Sequence, residues 1–154
     1  MKQGERGFPA LKTETAFPAA GASTQSAGLE VHGGSVGGQD MARIEGGELY
    51  LKIPENTILV ATKTLTLKVQ HSLDDGGSDA YSDVGEIASI AVVGKTGNGL
   101  PDADAAGFTV DNAGNVLIHW PIPRSLKGFV RVHVAVEAAG GNLTGLSPEF
   151  GLLV

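Results

Sequence analysis

The stretch Gly128–Glu137 constrains the fold more than any other part of the chain. Its valines recur at every second position: Val130, Val132, Val134 and Val136. Successive side chains of a β-strand point to opposite faces, so these valines share one face, and Arg131 and His133 lie on the other. β-Branched valine also fits a pleated sheet better than a helix. The pattern therefore predicts an antiparallel strand with one buried face and one wet face.

Alternation of the same kind recurs along the chain. It is clearest in Glu48–Ile53, Thr64–His71 and Asn115–Trp120, and Gly-, Asp- and Pro-rich turns separate these segments. Trp120 shares a predicted face with Val116 and Ile118, which favours a place in the core. About eight short strands and no amphipathic helix predict an all-β fold. We expect an antiparallel β-sandwich, jelly-roll-like in its connections.

The first forty residues differ from the rest. More than half of residues 15–40 are Gly, Ala or Ser, without a sustained apolar period. Such a segment buries too little apolar surface to offset the entropy lost on ordering. We predict two parts: an extended N-terminal arm over residues 1–40 and a β-sandwich body over residues 41–154. The arm is either a floppy tail or a segment that orders on a partner through sparse apolar anchors, namely Phe8, Leu11, Phe17, Leu29 and Val31.

Composition argues against several classes of partner. The formal net charge is −6, whereas phosphate binding depends on clustered Lys and Arg, so nucleic acid is disfavoured as a partner. No stretch approaches the ~20 apolar residues of a membrane-spanning helix, and the N-terminus lacks a signal-peptide pattern. We therefore expect a protein made in the cytoplasm that does not bind membranes.

The residues that carry chemistry form no recognisable catalytic or ligand-binding pattern. The chain has no cysteine, and its four histidines lack the spacing of metal ligands. No Gly-x-Ser-x-Gly nucleophile motif occurs, and the serines have no assigned base. From the sequence we expect no catalytic residues, no metal and no cofactor, and we expect a protein that is not an enzyme.

Two stretches together carry a resemblance to a known family. Thr64–Glu86 contains a strand, a Ser-x-Asp turn and the motif Tyr-x-Asp-Val-Gly. Phe129–Glu137 supplies a Phe-Val-Arg-Val-x-Val strand, which a Gly-Gly-Asn turn and a final apolar strand follow. With the opening Gly7–Leu11, these features resemble the capsid cement, or decoration, proteins of tailed bacteriophages.

The resemblance implies a jelly-roll-like structural protein, commonly a homotrimer, on the outer surface of the virion. Such a protein binds the major capsid protein at junctions of the mature shell and has no catalytic residues. We expect the arm to grip the shell or an adjacent copy, and Arg131 and His133 to form a possible inter-subunit face. The alternative is a receptor- or carbohydrate-binding β-sandwich of a phage tail or fibre.

Overall fold

A computed structural model describes residues 9–31, 35–36, 39–40, 48–101, 109–111, 113–123 and 126–153. The described part of the chain is all-β and contains no helix. Its strands are β1 (Pro9–Glu14), β2 (Ser23–Gln25), β3 (Leu29–Glu30), β4 (Ser35–Val36), β5 (Gln39–Asp40), β6 (Glu48–Ile53), β7 (Thr64–Ser72), β8 (Ser82–Asp83), β9 (Ile90–Val93), β10 (Thr109–Val110), β11 (Val116–Pro121), β12 (Phe129–Val136) and β13 (Glu149–Leu153).

The valine strand, β12, lies at the centre of one sheet, which we call sheet I. Its order is β2–β12–β7–β8, with β3 also on β12 and β9 also on β7. β12 and β7 pair antiparallel along their length, from Phe129 opposite Ser72 to Val136 opposite Leu65. The four valines of β12 are at most 2% exposed, whereas Arg131 and His133 are half-buried on the outer face. The predicted alternation is confirmed.

Sheet II has the order β1–β13–β6–β11–β10. β6 lies at its centre because both β13 and β11 pair with it antiparallel. β10 and β11 form a hairpin: they pair through Val110 and Val116, and Gly114 in the turn has a φ of +86°. That left-handed backbone conformation is one that glycine adopts without steric cost.

The two sheets share one hydrophobic core. β12 contributes its valines and β7 contributes Leu65, Leu67 and Val69, while Leu49, Leu51 and Ile53 of β6 enter from sheet II. Burial of alternate side chains from two antiparallel sheets defines a β-sandwich, so the predicted fold class is confirmed. The jelly-roll connection stays a prediction.

Residues 9–31 of the predicted arm belong to the sandwich. β1 pairs with β13, and β2 and β3 both pair with β12. Phe17, Leu29 and Val31 are at most 8% exposed and lie in the core. The interpretation of residues 1–40 as an arm outside the core is therefore wrong for Phe17, Leu29 and Val31. Its few apolar residues are too widely spaced to show a period, but backbone hydrogen bonds to existing sheet edges order the segment between them.

The expected number of strands agrees only in part with the structure. Eight of the described strands have three or more residues, but β2 is among them and was not predicted. Residues 80–93 contain only the short strands β8 and β9. Turns occupy the remainder there, and Val84 and Ile87 are joined by a hydrogen bond from the Ile87 amide to the Val84 carbonyl. Strands of only two residues were not predicted because they are too short to show the two-residue alternation of a β-strand.

Candidate functional site

The turn that follows β7 is closed by its own polar side chains. The Ser72 hydroxyl donates to the Asp79 carbonyl at 2.6 Å and accepts from the Gly76 amide at 2.8 Å. The Asp74 carboxylate accepts from the amides of Ser78 at 2.6 Å and Asp79 at 3.0 Å. These backbone hydrogen bonds, led by the one from Ser78, lower the pKa of Asp74. The carboxylate therefore acts as a turn cap that satisfies backbone donors.

A second set of contacts ties this turn to the segment before β12. Asp79 Oδ2 accepts from Lys127 Nζ and from the Leu73 amide, both at 2.8 Å. The Lys127 amide donates to His71 Nδ1 at 3.3 Å. His71 is 8% exposed, and burial, assisted by the charge of Lys127, lowers the pKa of its imidazole. The turn is thus fixed in position both by its own hydrogen bonds and by its contacts with Lys127.

On the outer face of sheet I, the turn meets β12 through Tyr81 and Arg131. The Arg131 guanidinium carbon lies 4.0 Å from the centroid of the Tyr81 ring, a cation–π contact. The Tyr81 hydroxyl donates to Asp75 Oδ1 at 2.6 Å. Burial and then this hydrogen bond raise the pKa of Tyr81 above its ordinary value. The phenol therefore stays neutral and keeps its proton for Asp75.

These residues surround an open depression of about 560 Å³, which we call the Arg131 depression. One wall is the turn, with Asp75, Ala80 and Tyr81, and the other is residues 26–28 of the segment between β2 and β3. Gly28 passes so close to Asp75 and Tyr81 that a Cβ there would overlap their oxygen atoms. A larger residue at this position would have to displace the ends of these two side chains. The depression is our candidate for a binding site.

The predicted site residues fall into three groups. Arg131 and His133 lie on the outer face of sheet I, as the alternation of β12 requires, and Arg131 lines the depression. Phe17, Leu29 and Val31 are buried in the core, so their side chains are not displayed to a partner. The further anchors Phe8 and Leu11 have side chains outside the described residues.

The sequence did not indicate that Gly28, Asp75 and Tyr81 belong to one site. The available signals were weak: a single tyrosine within an acidic turn, and a glycine within a segment already rich in small residues. Gly28 and Tyr81 are far apart in sequence, and only the pairing of β2 and β3 with β12 brings residues 26–28 beside β12. That contact could not be inferred from a local pattern.

Sheet II carries a separate polar cluster. The Tyr50 hydroxyl donates to Glu149 Oε1 at 2.6 Å, and Lys12 Nζ lies 3.2 Å from Glu149 Oε2. Burial would raise the pKa of Glu149, but the hydrogen bonds from Tyr50 and Lys12 outweigh it and hold that pKa below its ordinary value. Tyr50 is 4% exposed and Glu149 is 9% exposed. This cluster joins β1, β6 and β13, and we assign it a structural role.

Among the described residues, no group of three or more His, Cys, Asp or Glu side chains is arranged to hold a metal ion. The same part of the chain contains no helix that is long and apolar enough to cross a membrane. Comparisons of the chain with protein-family models, curated proteins and solved structures found no significant match.

Proposed function

We propose that this protein is a structural virion protein that binds the outside of a phage capsid and stabilises the assembled shell. One observation supports the proposal above the others. Thr64–Glu86 and Phe129–Glu137, which carry the resemblance to cement proteins, contribute β7, β8 and β12, and these strands are hydrogen-bonded neighbours in sheet I. Residues far apart in sequence thus form one continuous surface.

That surface has the chemistry of a polar interface. Lys68 pairs with Asp83 at 3.5 Å, Gln70 donates to Asp83 at 3.0 Å, and Arg131 donates to Gln70 at 2.9 Å. These residues project from adjacent strands in register, with Arg131 opposite Gln70 and His133 opposite Lys68. Ordered side chains lose little entropy when they contact a partner, which favours binding. The outer face of sheet I is therefore our candidate for the surface that meets the capsid or a second copy in a trimer.

Such a protein would stabilise a capsid by mass action. A ligand that binds the assembled shell and not its separated subunits shifts the equilibrium toward the shell, by about 2.7 kcal/mol per site at a concentration of about 100 times Kd. Several copies joined in a trimer would also gain avidity from a repeating lattice. Both effects need only a rigid body with a complementary surface.

The arm has a different part in this proposal from the one that the sequence predicted. Since β1, β2 and β3 complete the two sheets, residues 9–31 cannot be removed without exposing the core. In a variant without residues 1–40, a loss of binding could not be distinguished from a loss of folding. The test of the binding surface must therefore use substitutions on the outer face of sheet I.

The direct test compares virus particles produced with and without this chain by electron microscopy and by heat-induced release of DNA. We expect extra density on the outer shell and a higher release temperature when the protein is present. Thr66→Arg with Ala135→Arg adds bulk to a cross-strand pair on the outer face of sheet I. This variant is expected to remain folded and to lose shell binding.

The matched control is His119→Arg, which changes an exposed residue on sheet II. It should bind like the wild type. The proposed function is refuted if electron microscopy shows no extra density on the shell and DNA is released at the same temperature with and without the protein. Binding by the Thr66→Arg, Ala135→Arg variant that equals the wild type would instead refute the assignment of the surface.

The alternative, a receptor- or carbohydrate-binding protein, has weaker support. Sugar binding commonly uses an exposed aromatic face, but Trp120 packs against the core and one face of Tyr81 is covered by Arg131. Binding on a glycan array that is lost in Trp120→Ala, with the fold intact, would favour this alternative.

A further inference from the structure

Arg131 is held in one orientation by contacts on two sides. Its guanidinium lies over the Tyr81 ring at 4.0 Å, and its Nε donates to Gln70 Oε1 at 2.9 Å. The Gln70 amide is itself oriented, because its Nε2 donates to Asp83 Oδ1 at 3.0 Å. A long, flexible side chain normally loses rotamer entropy when it binds a ligand. Here most of that entropy is already lost, so the guanidinium is preorganised.

The outer end of this guanidinium has no partner in the described part of the protein. Only the Nε–H is used in a hydrogen bond, and the Nη atoms have neither a hydrogen-bond acceptor nor an ion-pair carboxylate among the described residues. The paired N–H groups of a guanidinium match the two oxygens of a carboxylate in geometry. The unused donors therefore define the chemistry of a ligand: a planar, bidentate anion.

The acidic residue that lines the same depression accepts a hydrogen bond from Tyr81. Asp75 lines the same depression, but its Oδ1 accepts the hydroxyl proton of Tyr81, and its backbone has a φ of +58°. Gly28 lies against this carboxylate and the Tyr81 hydroxyl, which limits their movement. Asp75 forms no ion pair with Arg131 in the described structure and instead belongs to the wall that the turn supplies.

We infer that the Arg131 depression is a binding site for a carboxylate, which the Nη atoms of Arg131 hold through paired hydrogen bonds. The volume of about 560 Å³ admits a carboxylate together with the chain that carries it. Tyr81 shields one side of the guanidinium from water, which strengthens the charge-assisted hydrogen bonds. This inference does not depend on the capsid function, since a protein side chain and a free organic acid present the same group.

The test is an NMR titration of the ¹⁵N-labelled full chain with two probes. Sodium glutarate represents a free organic acid, and an N-acetylated glutamate α-amide represents a carboxylate borne by a protein. We expect saturable shifts of the Arg131 Nε–H and of the amides of Gly28 and Gly76, with a Kd of about 1 mM. Tighter binding of glutarate would assign the site to small acids, and tighter binding of the blocked glutamate to a protein partner.

Variants separate recognition by Arg131 from a general effect of charge. Arg131→Gln should weaken binding of the preferred probe by about tenfold or more, and Arg131→Lys should weaken it in part because lysine lacks the paired donors. Lys63→Gln removes a positive charge that pairs with Glu137 outside the depression, so it should bind like the wild type.

A second variant leaves Arg131 and its contacts unchanged. Ala80 is exposed and lines the depression, so Ala80→Glu places a competing carboxylate there, whereas Ala80→Gln does not add charge. We expect Ala80→Glu to lose probe binding and Ala80→Gln to retain most of it. The inference is overturned if neither probe gives a saturable shift or if Arg131→Gln binds like the wild type. It is also overturned if inorganic phosphate binds as tightly as the carboxylates.

Discussion

Replacing Phe17 with alanine tests how strongly the N-terminal segment is built into the fold. Phe17 is 2% exposed within the core cluster, and its amide donates to the Leu146 carbonyl at 3.0 Å. Phe17→Ala keeps that backbone hydrogen bond but removes the ring and leaves a cavity. Substitutions of this kind lower the free energy of unfolding by about 3–5 kcal/mol. Since whole domains are stable by about 5–15 kcal/mol, the loss is a large fraction of the total.

Urea denaturation, followed by the fluorescence of Trp120, measures this loss directly. With a urea dependence of about 2 kcal/mol per M, the unfolding midpoint should fall by about 1.5–2.5 M. The control is Leu73→Ala, because Leu73 is 66% exposed and its loss should change stability by less than about 0.5 kcal/mol. A Phe17→Ala midpoint within about 0.5 M of the wild type would contradict a core role for Phe17 and favour the arm as first interpreted.

Three further predictions concern buried polar groups. Tyr50→Phe removes the hydrogen bond to the buried Glu149, so it should destabilise the protein by about 1.5–3 kcal/mol in urea unfolding, with a much smaller effect in a Glu149→Gln background. Thr57→Val should raise stability by about 1 kcal/mol, because the Thr57 hydroxyl is buried and is the one such atom without a hydrogen-bond partner in the described structure; a loss of stability would contradict this reasoning. The folded protein lowers the pKa of His71 through burial and then the charge of Lys127, so this residue's contribution to stability is complete above about pH 6.5 and declines as the pH falls through the lowered pKa. Urea unfolding between about pH 7 and 5 should therefore show a shallower decline in His71→Asn than in the wild type, and parallel profiles would contradict the assignment.

The strands with a clear two-residue period were predictable in type and almost in boundary. Thr64–His71 was expected as a strand and β7 ends one residue later, while the valine stretch Gly128–Glu137 corresponds to β12 within one residue at each end. In both strands the two-residue alternation predicts which side chains are buried. β2 and β3 were not predicted because neither the composition nor the length of their segments carries such a period.

The candidate site was predictable only through Arg131. Its place on the wet face of β12 follows from alternation with the valines. Its contact with Tyr81 follows from a turn whose shape depends on the hydrogen bonds of Ser72 and Asp74. Its opposite wall comes from Gly28, which reaches the site through pairing with β12. Apart from the position of Arg131 on its strand, every part of the site therefore depends on contacts between residues that are distant in sequence.

By itself, the sequence determined that this protein forms antiparallel sheets, which faces of its longest strands are buried, and that Arg131 points outward. It could do so because alternation in a strand is a local property of the backbone. Only the tertiary structure decided that residues 9–31 complete both sheets and that Phe17 lies in the core. It also decided that Arg131 is stacked and left with unused donors. These features depend on which distant strands pair, and that choice is made by the packing of the whole core rather than by any short stretch of chain.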